Sequence, residues 1–343
     1  MTVNRLTTYI LLFIIALLAP AVAAQDGTKA YNFLNVTPSA HAYALGGCNV
    51  SVIDDDINLT TQNPALLGPE NDRQIGLNYM RYLGGSNFAG ARFAHKSGEH
   101  GAWSAGIQYF GYGSMEGYDI TGVKTGSFSA SDIAVGFTYS HDISEFFRGG
   151  ITAKYLYSKY EDYTAGALGV DIGVNYYDPV YDISASLVVT NLGGQIKKFA
   201  DHRDKLPVDV LLGVTKHING TPFRASLTAH HLTKWYLPYY VPADKNNAES
   251  VLIKKNGFGS NLMRHLVLGL EFLPNKNTYI ALGYNYKTRT DMSSYQRSFL
   301  SGFSVGAGIK VKAFGFGVAF AQPHTGATTL MLNVTTNLRE IMR

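Results

Sequence analysis

Residues 264–272 read Arg264-His265-Leu266-Val267-Leu268-Gly269-Leu270-Glu271-Phe272, and this stretch decides the fold class. From Leu266 to Phe272 every second residue is large and apolar, whereas Val267, Gly269 and Glu271 between them are smaller or polar. A β-strand sends successive side chains to opposite faces. The stretch therefore predicts a strand with one oily face and one small or polar face.

The same alternation recurs along the chain from Arg73 onward, most clearly over residues 168–176, 181–190 and 328–334. Fourteen such segments begin near residues 73, 86, 101, 126, 146, 164, 181, 208, 222, 264, 277, 299, 313 and 328. Most run for about ten residues, which is the length of a tilted membrane-crossing strand. An even strand number is typical of bacterial outer-membrane barrels. We therefore predict an all-β membrane protein, a fourteen-stranded antiparallel outer-membrane barrel over residues 73–343.

The composition agrees with a barrel better than with a soluble domain. Charged residues make up 16% of the chain, against about 25% in soluble proteins. The 36 glycines and 23 tyrosines suit a barrel with aromatic girdles. A soluble β-sandwich is the alternative, since its strands also alternate, but its surface carries more charge. The net charge of +4 is scattered, which argues against nucleic acid as a partner. Cys48 is the single cysteine, and we interpret it as a small packing residue.

The first 24 residues have the order of a secretory signal peptide. Arg5 precedes an apolar run from Leu11 to Leu18, Pro20 follows, and Ala21-Val22-Ala23-Ala24 supplies small residues for cleavage. The run is too short to span a bilayer, which needs roughly 20 apolar residues, so a membrane anchor is the weaker alternative. We expect export to the cell outer membrane.

Residues 25–72 differ from the barrel region because they are rich in small residues and aspartate and alternate weakly. Asp54-Asp55-Asp56 lies in the middle, and Pro64 and Pro69 lie near the end. We interpret this stretch as an N-terminal plug segment of short helices and turns. The three aspartates could bind calcium, but the ligand spacing of a calcium loop is absent, which favours a solvated turn or a salt-bridged segment.

The sequence gives no catalytic, metal or cofactor site. Adjacent residues on a strand point to opposite faces, so we do not expect His230-His231 to chelate one ion. A barrel hydrolase would need a nucleophile and a base within hydrogen-bond reach, and no motif indicates one. Several charges of both signs fall on the predicted inner face, which favours a cross-linked or plugged lumen. They are Asp132, Lys154, Asp171, Asp182, Asp209, Arg224, Glu271 and Lys310.

The longest gaps between predicted strands, 192–207 and 233–263, should be loops on the extracellular side. The second gap is dense in aromatic residues with lysines near them. This composition favours a protein interface, and a girdle at the membrane surface is an equal alternative. The candidate partner-binding residues are Trp235, Tyr236, Tyr239, Tyr240, Lys254 and Lys255.

Several patches resemble one family of outer-membrane proteins. They are Tyr31-Asn32-Phe33-Leu34, Ala44-Leu45-Gly46-Gly47, Asp54-Asp55-Asp56, Gln62-Asn63-Pro64-Ala65-Leu66-Leu67, Gly106-Ile107-Gln108-Tyr109-Phe110, Thr125-Gly126-Ser127-Phe128-Ser129-Ala130 and His230-His231-Leu232-Thr233-Lys234-Trp235. They are similar to the PorQ family of the type IX protein secretion system of Bacteroidota-type bacteria, a FadL-like, PorV-related barrel family. The Asn63-Pro64-Ala65 element, which we take as the plug motif, is shared with FadL-like barrels at large.

The resemblance implies a FadL-like barrel without catalytic residues that belongs to the cell-surface attachment complex. It implies that the chain anchors a PorZ-like surface protein, in a complex with PorU and PorV, in contact with outer-membrane lipid or lipopolysaccharide. The alternative is a FadL-like channel for hydrophobic small molecules. One departure from the usual barrel pattern is that the chain ends on Arg343 rather than on an aromatic residue.

Overall fold

A computed structural model describes residues 31–119, 121–199, 203–237, 239–244, 247–254, 257–291, 300–324 and 327–341. The predicted signal peptide, residues 1–24, lies outside the described residues. The described residues contain sixteen strands, and fourteen of them form one closed antiparallel barrel. The barrel strands are β1 (Gln74–Arg81), β2 (Asn87–Ser97), β3 (Gly101–Tyr118), β4 (Lys124–Asp142), β5 (Phe147–Tyr160), β6 (Tyr163–Asp178), β7 (Ile183–Lys197), β8 (Asp209–His217), β9 (Phe223–Ala229), β12 (Leu266–Asn275), β13 (Thr278–Asn285), β14 (Phe303–Val311), β15 (Phe314–His324) and β16 (Ala327–Asn337).

Each barrel strand pairs with its neighbours in chain order, and the ring closes where β1 meets β16. At that seam Gln74 lies opposite Asn337 and Arg81 opposite Leu330. The predicted number of strands is confirmed. The largest error in a predicted start is at β14, which was placed near residue 299 and begins at Phe303. Among the described residues, no helix is long and apolar enough to cross a membrane.

The strand faces are inverted relative to a soluble protein, because the apolar face is the exposed one. In β12, Leu268 and Leu270 are 44% and 43% exposed, whereas Val267 is 1% and Glu271 is 0% exposed. The outer faces of other strands follow the same rule. Examples are Leu77, Ile107, Val135, Ile151, Leu168, Leu187, Leu212, Leu227, Ile280, Val305, Phe316 and Leu332. An apolar exterior around a polar interior is the arrangement of a membrane barrel.

The two ends of the barrel differ in the length of their connections. At what we call the short-turn end, the connections are residues 98–100, 143–146, 179–182, 218–222, 276–277 and 312–313. The opposite, long-loop end has three extended connections, namely 198–208, 230–265 and 286–302. Both gaps predicted as long loops thus lie at one end, as expected. The third long connection was not predicted.

Residues 230–265 contain structure of their own. A hairpin of β10 (Tyr239–Asp244) and β11 (Asn247–Lys254) forms a separate two-stranded sheet. The short helix α2 (Phe258–Arg264) follows and contacts α3 (Tyr286–Asp291) of the neighbouring long connection. Arg264 is fully buried between the two helices. Its guanidinium donates a hydrogen bond to the Thr290 hydroxyl and lies 2.6 Å from the Asp291 carboxylate.

Residues 31–72 form short helical turns that pack against the inner face of the barrel wall. The helix α1 (Ala40–Ala44) is capped by the Ser39 hydroxyl, and 3-10 turns follow at Ile57–Thr61, Pro64–Leu66 and Pro69–Asn71. We call these residues the inner segment. Wall glycines let its backbone approach closely. They form a belt of Gly76, Gly150, Gly173, Gly213, Gly269, Gly283, Gly306 and Gly317.

Candidate functional site

Two large cavities are lined by the described residues of the lumen, one toward each end of the barrel. The long-loop cavity has a volume of about 310 Å³. Apolar groups from the inner segment and the wall line it, including Leu34, Val36, Tyr43, Tyr82, Leu211 and Phe303. Its polar lining includes Arg92, Gln108, Lys154, Asp171, Asp209 and His231. A volume above about 300 Å³ is within the usual range for small-molecule sites.

The short-turn cavity is larger, about 800 Å³, and several charged side chains are among those that line it. Asp54, Asp55, Arg224, Asn277, Tyr279 and Lys310 contribute to it. The inner segment touches both cavities: Val36 and Gly46 line the long-loop cavity, whereas Asp54 and Asp56 line the short-turn cavity. Residues 36–56 therefore form a partition across the lumen.

A group of four charged side chains, two of them fully buried, fixes this partition to the wall. We call it the charge quartet: His41 and Asp54 from the inner segment, Arg224 from β9 and Glu271 from β12. The His41 imidazole lies 2.9 Å from Asp54 through Nδ1 and 2.5 Å from Glu271 through Nε2. The Arg224 guanidinium donates two hydrogen bonds to Glu271, at 2.8 and 2.9 Å. Two acids and two bases thus compensate one another; His41 and Glu271 are fully buried, whereas Asp54 is exposed toward the short-turn cavity.

The environment of His41 favours its protonated form. Its ring is 1% exposed and stacks on Tyr279, with ring centroids 3.8 Å apart. Burial alone would lower the pKa of His41, but the adjacent carboxylates of Glu271 and Asp54 outweigh burial and raise it to about 9. Burial would raise the pKa of Asp54, but its contact with His41 holds it well below the ordinary range. The imidazolium is thus the ordinary form of His41 at neutral pH.

The other two aspartates of the predicted acidic turn also have partners. Asp55 lies 2.5 Å from Lys310 of β14. Asp56 accepts a hydrogen bond of 2.7 Å from Ser39 and caps the next helical turn at Asn58. Asp54 and Asp55 thus form ion pairs and are also exposed, whereas Asp56 is held by hydrogen bonds. No group of three or more potential ligand side chains in the described part of the chain is arranged to hold a metal ion.

The mixed charges of the inner face are cross-linked, as predicted. Lys154 lies 2.7 Å from Asp171, and Asp132 accepts hydrogen bonds from Tyr112 at 2.6 Å and Tyr160 at 2.8 Å. Asp182 lines the short-turn cavity, but its assignment to a strand is wrong. This residue has a φ of 43°, lies in the turn before β7 and is exposed, because the strand begins one residue later.

Sequence reasoning missed Arg92, which projects inward from β2 and is 8% exposed. Its guanidinium donates to the hydroxyls of Ser104 at 2.9 Å and Thr138 at 3.3 Å. The alternation of Ala91 and Phe93 with Arg92 was the available signal. His41 was also missed, because residues 25–72 carry no strand pattern that would assign it to a face.

The reasoning applied to His230-His231 was wrong. The strand β9 ends at Ala229, and His231 has a φ of 57°, so the two imidazoles are not on opposite faces of a strand. Their ring centroids lie 4.4 Å apart, and His231 Nδ1 is 3.4 Å from an Asp209 carboxylate oxygen. They line the long-loop cavity together.

The predicted plug motif lies against the wall. Asn63 is fully buried; its side chain accepts from Ala65 N at 2.9 Å and donates to Val50 O at 2.7 Å. Pro64 and Ala65 face Gly150 of β5 so closely that an added Cβ would lie 2.5 Å from Pro64 O. The motif therefore turns the inner segment against the wall.

The candidate partner-binding residues are only partly gathered. Trp235 and Tyr236 are 42% and 70% exposed at the long-loop end. The Trp235 indole stacks on His265 with centroids 5.3 Å apart and lies 5.6 Å from Phe258. Tyr239 and Lys254 are paired in the β10–β11 hairpin, with Tyr240 next to Tyr239. Lys255 lies outside the described residues.

No family model and no curated protein matches this chain. Solved structures do match. The toluene transporter TodX of Pseudomonas putida superposes with a TM-score of 0.52 at 10% identity, over 88% of this chain and 97% of that one. A deletion mutant of TodX, described as a monoaromatic hydrocarbon channel, gives 0.52 at 11% identity over 87% and 98%. A FadL homologue of Pseudomonas aeruginosa gives 0.51 at 10% over 88% and 98%.

Sequence identities this low show that the fold is shared, but they do not show that the activity is shared. The chain is a closed, fourteen-stranded antiparallel barrel of FadL type, which is a fold of bacterial outer-membrane proteins. The expected role in type IX secretion, and with it the PorZ-like, PorU and PorV partners, stays a prediction.

Proposed function

We propose that this chain is an outer-membrane channel that admits small hydrophobic molecules at its long-loop end. The observation that carries the proposal is the long-loop cavity, whose apolar groups Val36, Tyr43 and Phe303 lie inside a closed FadL-type barrel. A concave, mostly apolar site with a few polar groups is the usual form of a small-molecule site. The names of the TodX structures, a toluene transporter and a monoaromatic hydrocarbon channel, add support by analogy.

In this proposal the long-loop end faces the cell exterior, because bacterial barrels place short turns in the periplasm. Residues 25–72 act as a plug, residues 1–24 are removed after export, and no catalytic step takes place. The wall keeps the molecule from lipid, and the inner segment limits how far it enters. The cavity of about 310 Å³ holds one small molecule at a time.

Toluene binding to the purified barrel in detergent, followed by calorimetry, tests the proposal. Gly136 lines the cavity, and a Cβ at this position meets nothing closer than Thr152 Cγ2 at 3.6 Å. A Gly136→Leu side chain would therefore project into the cavity and should abolish binding, whereas Gly136→Ala should preserve it. Equal binding by wild type and Gly136→Leu, or no binding by wild type, would refute the proposal.

A second candidate function is the anchoring of a surface protein at the long-loop end. The exposed aromatic group formed by Trp235, Tyr236 and Phe258, which is 72% exposed, favours it. Aromatic residues of this kind contribute most of the binding energy at protein interfaces. A PorZ-like protein, with PorU and PorV, is the partner proposed from the family resemblance.

Affinity purification from the native outer membrane tests this second function. The triple variant Trp235→Ala, Tyr236→Ala and Phe258→Ala should lose a surface protein that the wild type retains. Tyr163→Ala is the control, because Tyr163 is 58% exposed but begins strand β6 outside the aromatic group. Retention of the same partner by all three proteins would exclude anchoring through this loop.

A further inference from the structure

The charge quartet joins parts of the molecule that are distant in sequence. His41 and Glu271 are 230 residues apart, and they meet because α1 packs against β13, β14 and β15 of the wall, from which the His41 side chain reaches Glu271 of β12. Arg224 also donates to Ile53 O at 3.2 Å, so it contacts the inner segment directly. The quartet therefore ties both ends of the partition, at His41 and at residues 53–54, to the same two wall strands.

The position of the quartet decides what that tie can do. Asp54 and Arg224 line the short-turn cavity, and Tyr43 and Gly46, on the far side of His41 along the segment, line the long-loop cavity. At this point the described residues of the partition lie between the two sets of lining residues. Displacing α1 from the wall would join a cavity of about 310 Å³ to one of about 800 Å³.

We propose that the charge quartet is a latch that holds the inner segment as a closed gate between the two cavities. A buried salt bridge loses its compensation when one partner is removed, because the remaining charge is left unpaired in a poorly hydrated place. Removing Glu271 takes away the carboxylate that joins His41 of the inner segment to Arg224 of the wall, and it leaves Asp54 as the one remaining acid of the quartet for two cations. The tie between α1 and the wall is then lost.

Protonation controls the same latch. Titratable and charged groups face His41 from every element packed around it. They are Asp54 and Asp56 of the inner segment, Arg224 of β9, Glu271 of β12, Tyr279 of β13, and Lys310 of β14 through Asp55. Loss of the His41 proton removes one cation and leaves Asp54 without its partner. Because the pKa of His41 is raised, the latch is complete at neutral pH and weakens as the pH rises through about 9.

The inference rests on the proposed channel only in taking the two cavities as parts of one passage. Its test therefore uses potassium chloride conductance in planar bilayers rather than a hydrophobic solute. Glu271→Gln should raise the open conductance on the order of tenfold or more, because breaking a buried pair shifts such an equilibrium by over one decade. Asp132→Asn is the matched control, a buried wall carboxylate that contacts wall hydroxyls.

A disulfide makes the test independent of how well the variant folds. The Ala40 Cβ lies 3.5 Å from the position of a Cβ at Gly317, a separation that suits a disulfide. Ala40→Cys with Gly317→Cys, in a Cys48→Ser background, should fasten α1 to β15. Oxidation should then silence the conductance of Glu271→Gln, and reduction should restore it.

If Glu271→Gln does not fold, the disulfide pair is measured without it at pH 7 and pH 10. The reduced protein should open at the higher pH, and the oxidised protein should stay closed. The latch would be overturned if the conductance of Glu271→Gln is no greater than that of Asp132→Asn, or if the oxidised protein still opens. If the conductance does not change but toluene still binds, the latch is refuted and the proposed channel is not. The failure of one proposal is thus distinguishable from the failure of the other.

Discussion

Replacing Gly150 with alanine tests whether the inner segment is pressed against the barrel wall. The added Cβ would lie 2.5 Å from Pro64 O and 2.7 Å from Ala65 N, both of them backbone atoms that cannot rotate away. Ordinary contact begins at 3.4 Å, so the wall and the segment would have to separate by about 0.9 Å. Overpacking of this kind costs roughly 1–3 kcal/mol.

The free energy of unfolding, measured by guanidinium titration in lipid vesicles, should fall by that amount. Limited proteolysis should also cut residues 31–72 faster, because the closest contact of the Asn63-Pro64-Ala65 turn would be lost. Gly136→Ala is the control on the neighbouring strand β4, where the nearest atom to the new Cβ lies at 3.6 Å. Its effect should stay within about 0.5 kcal/mol.

The close packing of segment and wall would be refuted by equal stability and equal proteolysis of the two variants. A loss of stability in Gly150→Ala with unchanged proteolysis would instead locate the strain in the wall itself. Gly283→Ala tests the same packing on the opposite wall, where the new Cβ would collide with the backbone of Leu45 and Gly46 of the inner segment.

Four other predictions follow from the site. Wild-type stability should decline as the pH rises from about 6.5 to about 9, since the pKa of His41 is raised from 6.5 to about 9 in the folded protein, and His41→Gln should remove that decline in thermal melts. Asp171→Asn should lower the free energy of unfolding by about 3–5 kcal/mol, because it leaves Lys154 inside the barrel without its ion pair, and chemical denaturation measures it. Gly136→Leu should abolish toluene binding in calorimetry while Gly136→Ala retains it, because only the longer side chain fills the cavity. Arg264→Met should release α2 from α3, where Asp291 is its ion-pair partner, and hydrogen exchange of residues 257–265 should rise.

The barrel could be predicted because its signal is local. Strand alternation has a period of two residues, so a stretch such as 264–272 reports its own face without knowledge of its neighbours. That pattern predicted the strand faces on which Leu268 and Glu271 lie, the even strand number and the positions of two long loops. Asp182 was misplaced because one residue decides whether a side chain belongs to a turn or to a strand.

The site depended on contacts that no local pattern contains. The partner of His41 lies 230 residues away, and the glycine belt is recognisable only once the inner segment is seen against it. His231 escaped because a positive φ cannot be read from a histidine. The connection 286–302 was hidden because its last residues were assigned to a strand that begins at Phe303.

The glycine belt also constrains the order of assembly. The inner segment is made first, yet β16, which seals the ring against β1, is made last. A segment that touches wall glycines on strands from β1 to β15 could not be threaded into a ring that had already closed. The strands must therefore close around an inner segment that is already in place. Without the inner segment, the wall glycines would expose their backbone to an empty lumen. Such a chain should yield a misassembled protein rather than a wider pore.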